Sequence, residues 1–294
     1  MVHFANTGFD MPQSLQPALY VVATPIGNLE DITLRALRVL KEVSVIACED
    51  TRQTQKLLYH YDIETRTVSY HDFNELERAA ELIVKLENGE SIALVSDAGT
   101  PGISDPGYRL IALAVRHGVA VVPVPGPSAI ISALVASGLP TDDFRFYGFL
   151  SAKHGQRKTE LEAVREVTHL CVFYEAPHRI VEALEDVVEV LGPDRKVVVA
   201  REVTKLHEEF LRGRAADVFA QLRKRNGGVK GEITLLIGKA DTAAAPAQKK
   251  NVAERLKEIM ETQKLDEKAA LKLLVKETGK PKSELYREVQ RNRK

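Results

Sequence analysis

Ser96-Asp97-Ala98-Gly99-Thr100-Pro101-Gly102-Ile103-Ser104-Asp105-Pro106-Gly107 decides the fold. The residues before it, Ile92–Val95, form an apolar run of strand type. The residues after it, Tyr108–His117, have helical spacing. Strand, Gly/Pro-rich loop and helix in that order make one βα unit. In an open α/β sheet such a loop lies at the C-terminal edge of the strands, where ligands bind. Its three glycines permit close backbone approach, and its two prolines stiffen the path. Twelve residues is long for a connection that usually runs about 2–6. The stretch therefore reads as a ligand loop rather than a plain turn.

Moving outward, the same alternation recurs. Leu19–Ala23, Val43–Cys48 and Val119–Val122 read as strands. Helical spacing covers Ile32–Leu40, Arg52–Tyr59, Leu76–Leu86 and Ala129–Ser137. This pattern predicts a mostly parallel, buried sheet with helices on its faces. Three further loops fall at the same predicted edge: Thr24–Asn28, Cys48–Arg52 and Pro123–Ser128. Each alone is a turn or a helix cap, with Ser128 suited to N-cap a helix. Together they predict a crevice of backbone amides and small side chains. No G-x-x-x-x-G-K-[ST] is present, and no G-x-G-x-x-G opens the first helix. The first absence argues against a P-loop nucleotidase, the second against a nicotinamide dehydrogenase and the commonest methyltransferase fold.

A second series follows the turn at Gly138–Asp143. Strands are predicted at Phe144–Phe149, His169–Tyr174, Lys196–Ala200, Glu208–Leu211 and Ile233–Ile237, and helices at Lys158–Glu166, His178–Leu191 and Ala215–Arg223. The short, closely spaced late strands suggest antiparallel pairing. Phe173–Arg179 stands at a strand-to-helix junction, Ala200–Lys205 ends a strand, and Lys230–Ile233 enters the last one. Ala240–Lys250 reads as a linker. Helices near 251–263, 266–277 and 282–291 follow, the last two separated by Thr278-Gly279-Lys280-Pro281, in the manner of a helix-turn-helix. The predicted organisation is thus 17–140, 141–240 and a basic helical segment, 250–294.

The chain has 294 residues, 44% hydrophobic and 28% charged, which excludes a disordered chain, a collagen or a coiled-coil rod. Forty-one basic residues balance forty-one acidic ones, but unevenly. Residues 1–140 carry 10 basic and 16 acidic, residues 141–248 carry 17 of each, and residues 249–294 carry 14 and 8. The net +6 of the last segment fits an anionic macromolecular partner as well as it fits a solvated helical tail. Cys48 and Cys171 stand alone in apolar runs and read as small core residues in a reducing compartment. No metal-ligand spacing is visible. The N-terminus lacks the pattern of a signal peptide. The uncharged stretch Gly118–Leu139 holds Pro123, Pro125, Gly126 and Pro127, so it reads as strand, tight loop and helix rather than a membrane span.

TPIGN, CEDTR, SDAGTPGISDPG, PVPGPSA, FYEAPHR, AREVTK and GEI occur here in the order found in the tetrapyrrole methylase superfamily. The resemblance spans about residues 17–240. Within that superfamily the motifs resemble the branch that methylates a cytidine ribose 2′-hydroxyl in the decoding region of small-subunit (16S) ribosomal RNA. It implies two α/β domains with S-adenosylmethionine (S-adenosyl-L-methionine) in the cleft between them, a cytoplasmic homodimer, the 30S subunit or its RNA as partner, and no membrane. Carried over, Pro25 and Gly27 belong to the first cofactor loop. Asp97, Gly99, Thr100 and Pro101 approach the methionine part. The backbone of Ser128 and Ala129 holds the cofactor. Tyr174, Ala200 and the Gly231–Ile233 region, with Glu232 and Ile233, serve the adenosine side. A ribose hydroxyl is a poor nucleophile, so a base is expected, with Asp50, Asp105, Glu175 and His178 as candidates. Arg52, Arg179 and Lys205 are suited to flanking phosphates. SDAGTP stands where tetrapyrrole-specific members commonly have a Gly-Gly-Asp-Pro loop, which favours the RNA branch. The competing expectations are a tetrapyrrole or corrinoid methyltransferase and a non-catalytic ribosome-associated binding protein.

Overall fold

Strands buried on both faces need near-continuous apolar runs; three such runs form the middle of the first sheet, which has five strands. The five are β1 (Leu19–Val22), β2 (Val45–Cys48), β3 (Thr67–Ser69), β4 (Ile92–Val95) and β5 (Val121–Val124). The computed structural model describes residues 14–240, 259–260 and 267–278. The strand order is β3-β2-β4-β1-β5, and every pairing is parallel. Tyr20, Val22, Ile46, Cys48, Ala93 and Val95 face α1 (Leu34–Glu42) and α2 (Thr51–His60). Leu19, Val45, Ala47, Ile92 and Leu94 face α3 (Glu75–Glu87) and α4 (Tyr108–Arg116). The helix predicted from Ile32 starts at Leu34 because the Thr33 hydroxyl accepts the Ala36 N–H as its N-cap. β3 was not anticipated: three half-buried residues on a sheet edge carry no apolar pattern. β5 lies two residues beyond its predicted bounds, at Val121–Val124.

The second sheet is mixed, as the close spacing of its late strands suggests. It comprises β6 (Phe144–Phe149), β7 (Leu170–Glu175), β8 (Lys196–Arg201), β9 (Glu209–Arg214) and β10 (Ile233–Ile237), ordered β6-β7-β10-β8-β9. β6 and β7 are parallel; the other pairs are antiparallel. One face is covered by α6 (His154–Ala163), α7 (Ile180–Leu191) and α8 (Ala215–Arg223). α6 begins four residues before its predicted start. Between α6 and α7 lies a buried ion pair, Arg157 Nε to Asp186 Oδ2 at 2.6 Å, with both side chains 2% exposed.

The uncharged Gly118–Leu139 stretch resolves into β5, a Pro/Gly turn and α5 (Ala129–Ser137). α5 follows the last strand of the first sheet but packs on the second. Ile130, Ala133 and Leu134 bury against Leu170, Val172, Val198 and Leu236, on the face opposite α6–α8. AIISALVAS carries no charge and is apolar nearly all round, so burying one face on the second sheet leaves Ile131 and Val135 exposed on the other.

Contacts divide the chain after Ala240. In the C-terminal unit, Glu267–Thr278 forms a helix in the place expected for 266–277, with Ala270 and Leu271 buried. Ile259 and Met260 are helical, within the segment expected at 251–263. The linker from 241 and the helix expected at 282–291 lie outside the described residues. Among the described residues no helix is long and apolar enough to cross a membrane.

Candidate functional site

The four loops at the C-terminal edge of the first sheet are laced to one another. Thr24 and Gly99 exchange both backbone hydrogen bonds, at 2.9 and 3.0 Å. The Thr24 hydroxyl donates to the Ser96 carbonyl at 3.1 Å. Gly99 sits at φ +80°, a conformation any side chain would strain, and this lets the loop turn back toward Thr24. The Asp50 N–H donates to Asp97 Oδ1 at 3.1 Å, joining the β2 and β4 loops. Ser128 caps α5, its hydroxyl accepting the Ile131 N–H.

A cavity of about 650 Å³ opens between this edge and the uncovered part of the second sheet. That volume is in the range of small-molecule sites. The first lobe contributes Gly99, Thr100, Asp105, Ser128 and Ala129 to its wall. The second lobe contributes Tyr174, Ala200, Glu232, Ile233 and Thr234. Ten residues expected from sequence thus border one space: these, less Thr234, together with Glu175.

The electrostatics single out Asp105. Burial raises its carboxyl to about 6; a Ser96 hydrogen bond lowers it, and the nearby Asp97 charge raises it. Across the cavity, burial pushes the Tyr174 phenol to about 12, with Asp105 and Glu232 adding to the rise. Burial also raises Glu49, reinforced by Asp97 and Asp105. Carboxylates this close share a reluctance to ionise together.

The other three candidate bases are placed differently. Asp50 is the N-cap of α2, and its Oδ1 accepts the Arg52 N–H at 2.9 Å. Both its oxygens take the Arg52 guanidinium, at 3.1 and 2.8 Å, which holds its carboxyl down at about 2. A carboxylate that acidic accepts protons poorly. Cap and ion pair together engage both of its oxygens. Glu175 borders the cavity only through its backbone. Strand alternation turns its side chain to the helix-covered face with Phe173, away from Tyr174, and that side chain is fully sealed from solvent. There Oε1 binds the Ala176 N–H and Arg179, each at 2.7 Å, and Oε2 is unpartnered; burial raises the carboxyl. His178 is exposed in the turn before α7 and outside the cavity wall.

The cations expected on phosphates are engaged. Arg52 points to solvent, 86% exposed, with its fork on Asp50. Arg179 pairs with Glu175. Lys205 reaches Glu202 and Glu232, both at 3.0 Å. Its stem lies over Gly27, where an added Cβ would fall 2.2 Å from Lys205 Cγ. Gly27 is therefore the seat of an inter-lobe strut. Pro25, Gly27, Asp97 and Pro101 stand beside the cavity loops but outside the lining itself. Ile233 turns its side chain into the helix-covered core, so it offers the cavity its backbone.

Sequence reasoning passed over Phe144, Phe146 and Phe149, which line the cavity from β6. Alternation in FRFYGF puts Phe144 and Phe146 on one face but does not encode the placement of Phe149. Both cysteines are buried and free, with burial raising their thiols. Among the described residues no cluster of three His, Cys, Asp or Glu side chains has metal-binding geometry.

Comparison with known proteins gives a consistent result. The family of tetrapyrrole (corrin/porphyrin) methylases matches residues 18–218. A Mesorhizobium japonicum protein, ribosomal RNA small subunit methyltransferase I, is 49% identical over 93% of this chain and 91% of its own. The Vibrio cholerae protein of that name is 53% identical over 75% of this chain and 77% of its own. Among solved structures, diphthine synthase superposes with a TM-score of 0.59 at 17% identity, over 75% of this chain and 89% of its own. Thermus thermophilus uroporphyrin-III C-methyl transferase, complexed with S-adenyl homocysteine, gives 0.52 at 23% identity, over 75% and 97%. At these identities the structures establish the two-lobed fold.

Proposed function

The chain belongs to the tetrapyrrole (corrin/porphyrin) methylase family and, within it, to the ribosomal RNA small subunit methyltransferase I proteins, and from that membership we propose its reaction in detail. It is an S-adenosylmethionine-dependent methyltransferase of small-subunit ribosomal RNA. The atom methylated is the 2′-oxygen of a cytidine ribose in the decoding region. It acts in the cytoplasm as a homodimer on the 16S RNA of the 30S subunit.

The observation that carries the mechanism is Asp105 in the wall of the inter-lobe cavity, with its carboxyl raised to about 6. Near neutral pH it is ionised yet basic enough to take a proton, the range a general base needs. The cavity fits the cofactor. Its first-lobe wall is built from Gly99, Thr100, Ser128 and Ala129, where small side chains leave backbone groups within reach of a ligand. S-adenosylmethionine, when bound, supplies the methyl group and a sulfonium leaving group. Ala200 and Glu232 hold the adenosine side from the second lobe, with Tyr174 closing the wall. Asp105 Oδ accepts the ribose hydroxyl proton as the oxygen attacks. The mostly apolar wall of the cavity favours a reaction in which charge is neutralised. Glu202 and Glu232 hold the Lys205 stem over Gly27 of the first lobe, and alignment of reacting atoms is worth about 7–11 kcal/mol in well-ordered systems.

The test is methyl transfer from labelled S-adenosylmethionine to deproteinised rRNA, 30S subunits and uroporphyrinogen, followed by mapping of alkali-resistant 2′-O-methyl positions. Label at one cytidine 2′-oxygen in the RNA is expected. Label on a base or on the porphyrin overturns the reading.

A further inference from the structure

β6 is an edge strand that pairs with β7 alone, and its register is broken. Regular alternation would put Phe144, Phe146 and Gly148 on one face and send Phe149 to the other. Instead Phe146 pairs with Val172 and Phe149 with Tyr174, so three steps along β6 span two along β7. The extra residue is absorbed at Tyr147–Gly148, where Gly148 takes φ +76°. The bulge reverses parity. Phe149 now shares a face with Phe144 and Phe146, and all three line the cavity. Tyr147 turns the opposite way and stacks on Phe173 at 5.0 Å.

Phe146 and Phe149 flank the Tyr174 ring, with centroids 4.9 and 5.6 Å away. Even so, Phe149 is 55% exposed and Phe144 41%. A ring brought into the cavity by a glycine-dependent bulge, beside Phe144 on the same face and left half open with it, makes a surface shaped for a flat ligand. The cofactor is assigned the backbone of Gly99, Thr100, Ser128 and Ala129 from the opposite lobe and Tyr174, Ala200 and Glu232 from this one, which leaves the more exposed rings of Phe144 and Phe149 to a second flat ligand. For a ribose hydroxyl to enter this cavity and meet Asp105, its nucleotide must leave its stack. Single-stranded nucleotides recognised by proteins commonly restack on aromatic side chains.

We infer that Phe144 and Phe149 form the stacking platform for the nucleobase of the nucleotide being methylated. The inference rests on the rRNA-methylation reading and assigns positioning roles to two residues. Stacking is indifferent to which base is present, so the platform aligns the ribose rather than choosing the sequence.

The experiment uses the full chain and small-subunit rRNA, with labelled S-adenosylmethionine as methyl donor for the KM and S-adenosylhomocysteine for the affinity measurement. Phe149→Leu keeps apolar bulk without a ring, Phe149→Tyr keeps the ring, and a double variant carries Phe144→Leu with Phe149→Leu. The double variant is expected to raise the KM for RNA about tenfold or more while leaving S-adenosylhomocysteine affinity within about twofold. Phe149→Tyr should keep the parental KM. An unchanged KM in the double variant overturns the platform. So does cofactor affinity falling in step with activity, because the rings would then serve the adenine. Absence of any methyl transfer to RNA by the parental protein would instead remove the underlying reading, and the platform with it.

Discussion

Asp105→Asn should make the protein more stable and nearly inactive at once. The folded carboxyl titrates at about 6 against an ordinary 3.8, chiefly through burial. That gap, at about 1.4 kcal/mol per pH unit, amounts to about 3 kcal/mol. Water reaching a half-buried side chain trims it to about 2 kcal/mol. The sign follows from linkage. A raised carboxyl means the folded state holds its proton more tightly than the unfolded state. The ionised form therefore destabilises the fold fully above about pH 6, progressively less between 6 and 4, and not at all below. Asparagine carries no charge, so the variant should melt about 4–8 °C higher at pH 7.5, with the difference gone by pH 4. Loss of a positioned base should lower single-turnover methylation about 10²–10⁴-fold. The parental rate should rise with pH and level off above about 6, an inflection the variant lacks. Melting curves across pH and rapid-quench methylation of rRNA measure both arms. Parental rates in the variant would remove Asp105 as the base. A stability gain undiminished at pH 4 would show that its charge is not the cause.

Gly27→Ala should displace Lys205 from its seat and weaken S-adenosylhomocysteine binding, and adding Lys205→Ala should recover affinity; calorimetry of the double-mutant cycle reads the coupling. Asp186→Asn strands a buried Arg157 and should destabilise the chain by about 3–5 kcal/mol in urea unfolding, without altering the pH dependence of methylation. Truncation before Asn251 removes most of a segment of net +6 and should weaken rRNA binding and flatten its salt dependence in filter-binding assays, with cofactor affinity unchanged. Equal salt slopes would mark the segment as a solvated tail.

β1, β2 and β4 were readable because they are covered on both faces. Ile92–Val95 is continuous apolar sequence, and the loop after it is too long to be only a turn. β3 was not readable, since Thr67–Ser69 stands half-buried at an edge and packing, not composition, makes it a strand. In the site, residue type and loop position located the cavity wall but could not rank the acids. Asp50 and Asp105 both follow strands of one sheet. Only geometry shows the first clamped by Arg52 and the second lining the cavity. Glu175 illustrates parity: one residue past Tyr174, it faces the other side of the sheet. Phe149 illustrates the converse, since a bulge that alternation does not encode moved it into the site.

The placement of α5 bears on how the chain emerges from the ribosome. Its apolar face is complete by Ser137, yet the sheet it covers is not. β10, the middle strand of that sheet, ends at Ile237, 100 residues later. At about 5–20 residues per second, translation leaves α5 without its partner for about 5–20 s. During that interval the nascent first lobe carries a sticky helix that its own helices do not cover. Only when β10 closes between β7 and β8 is the surface that buries Ile130, Ala133 and Leu134 complete.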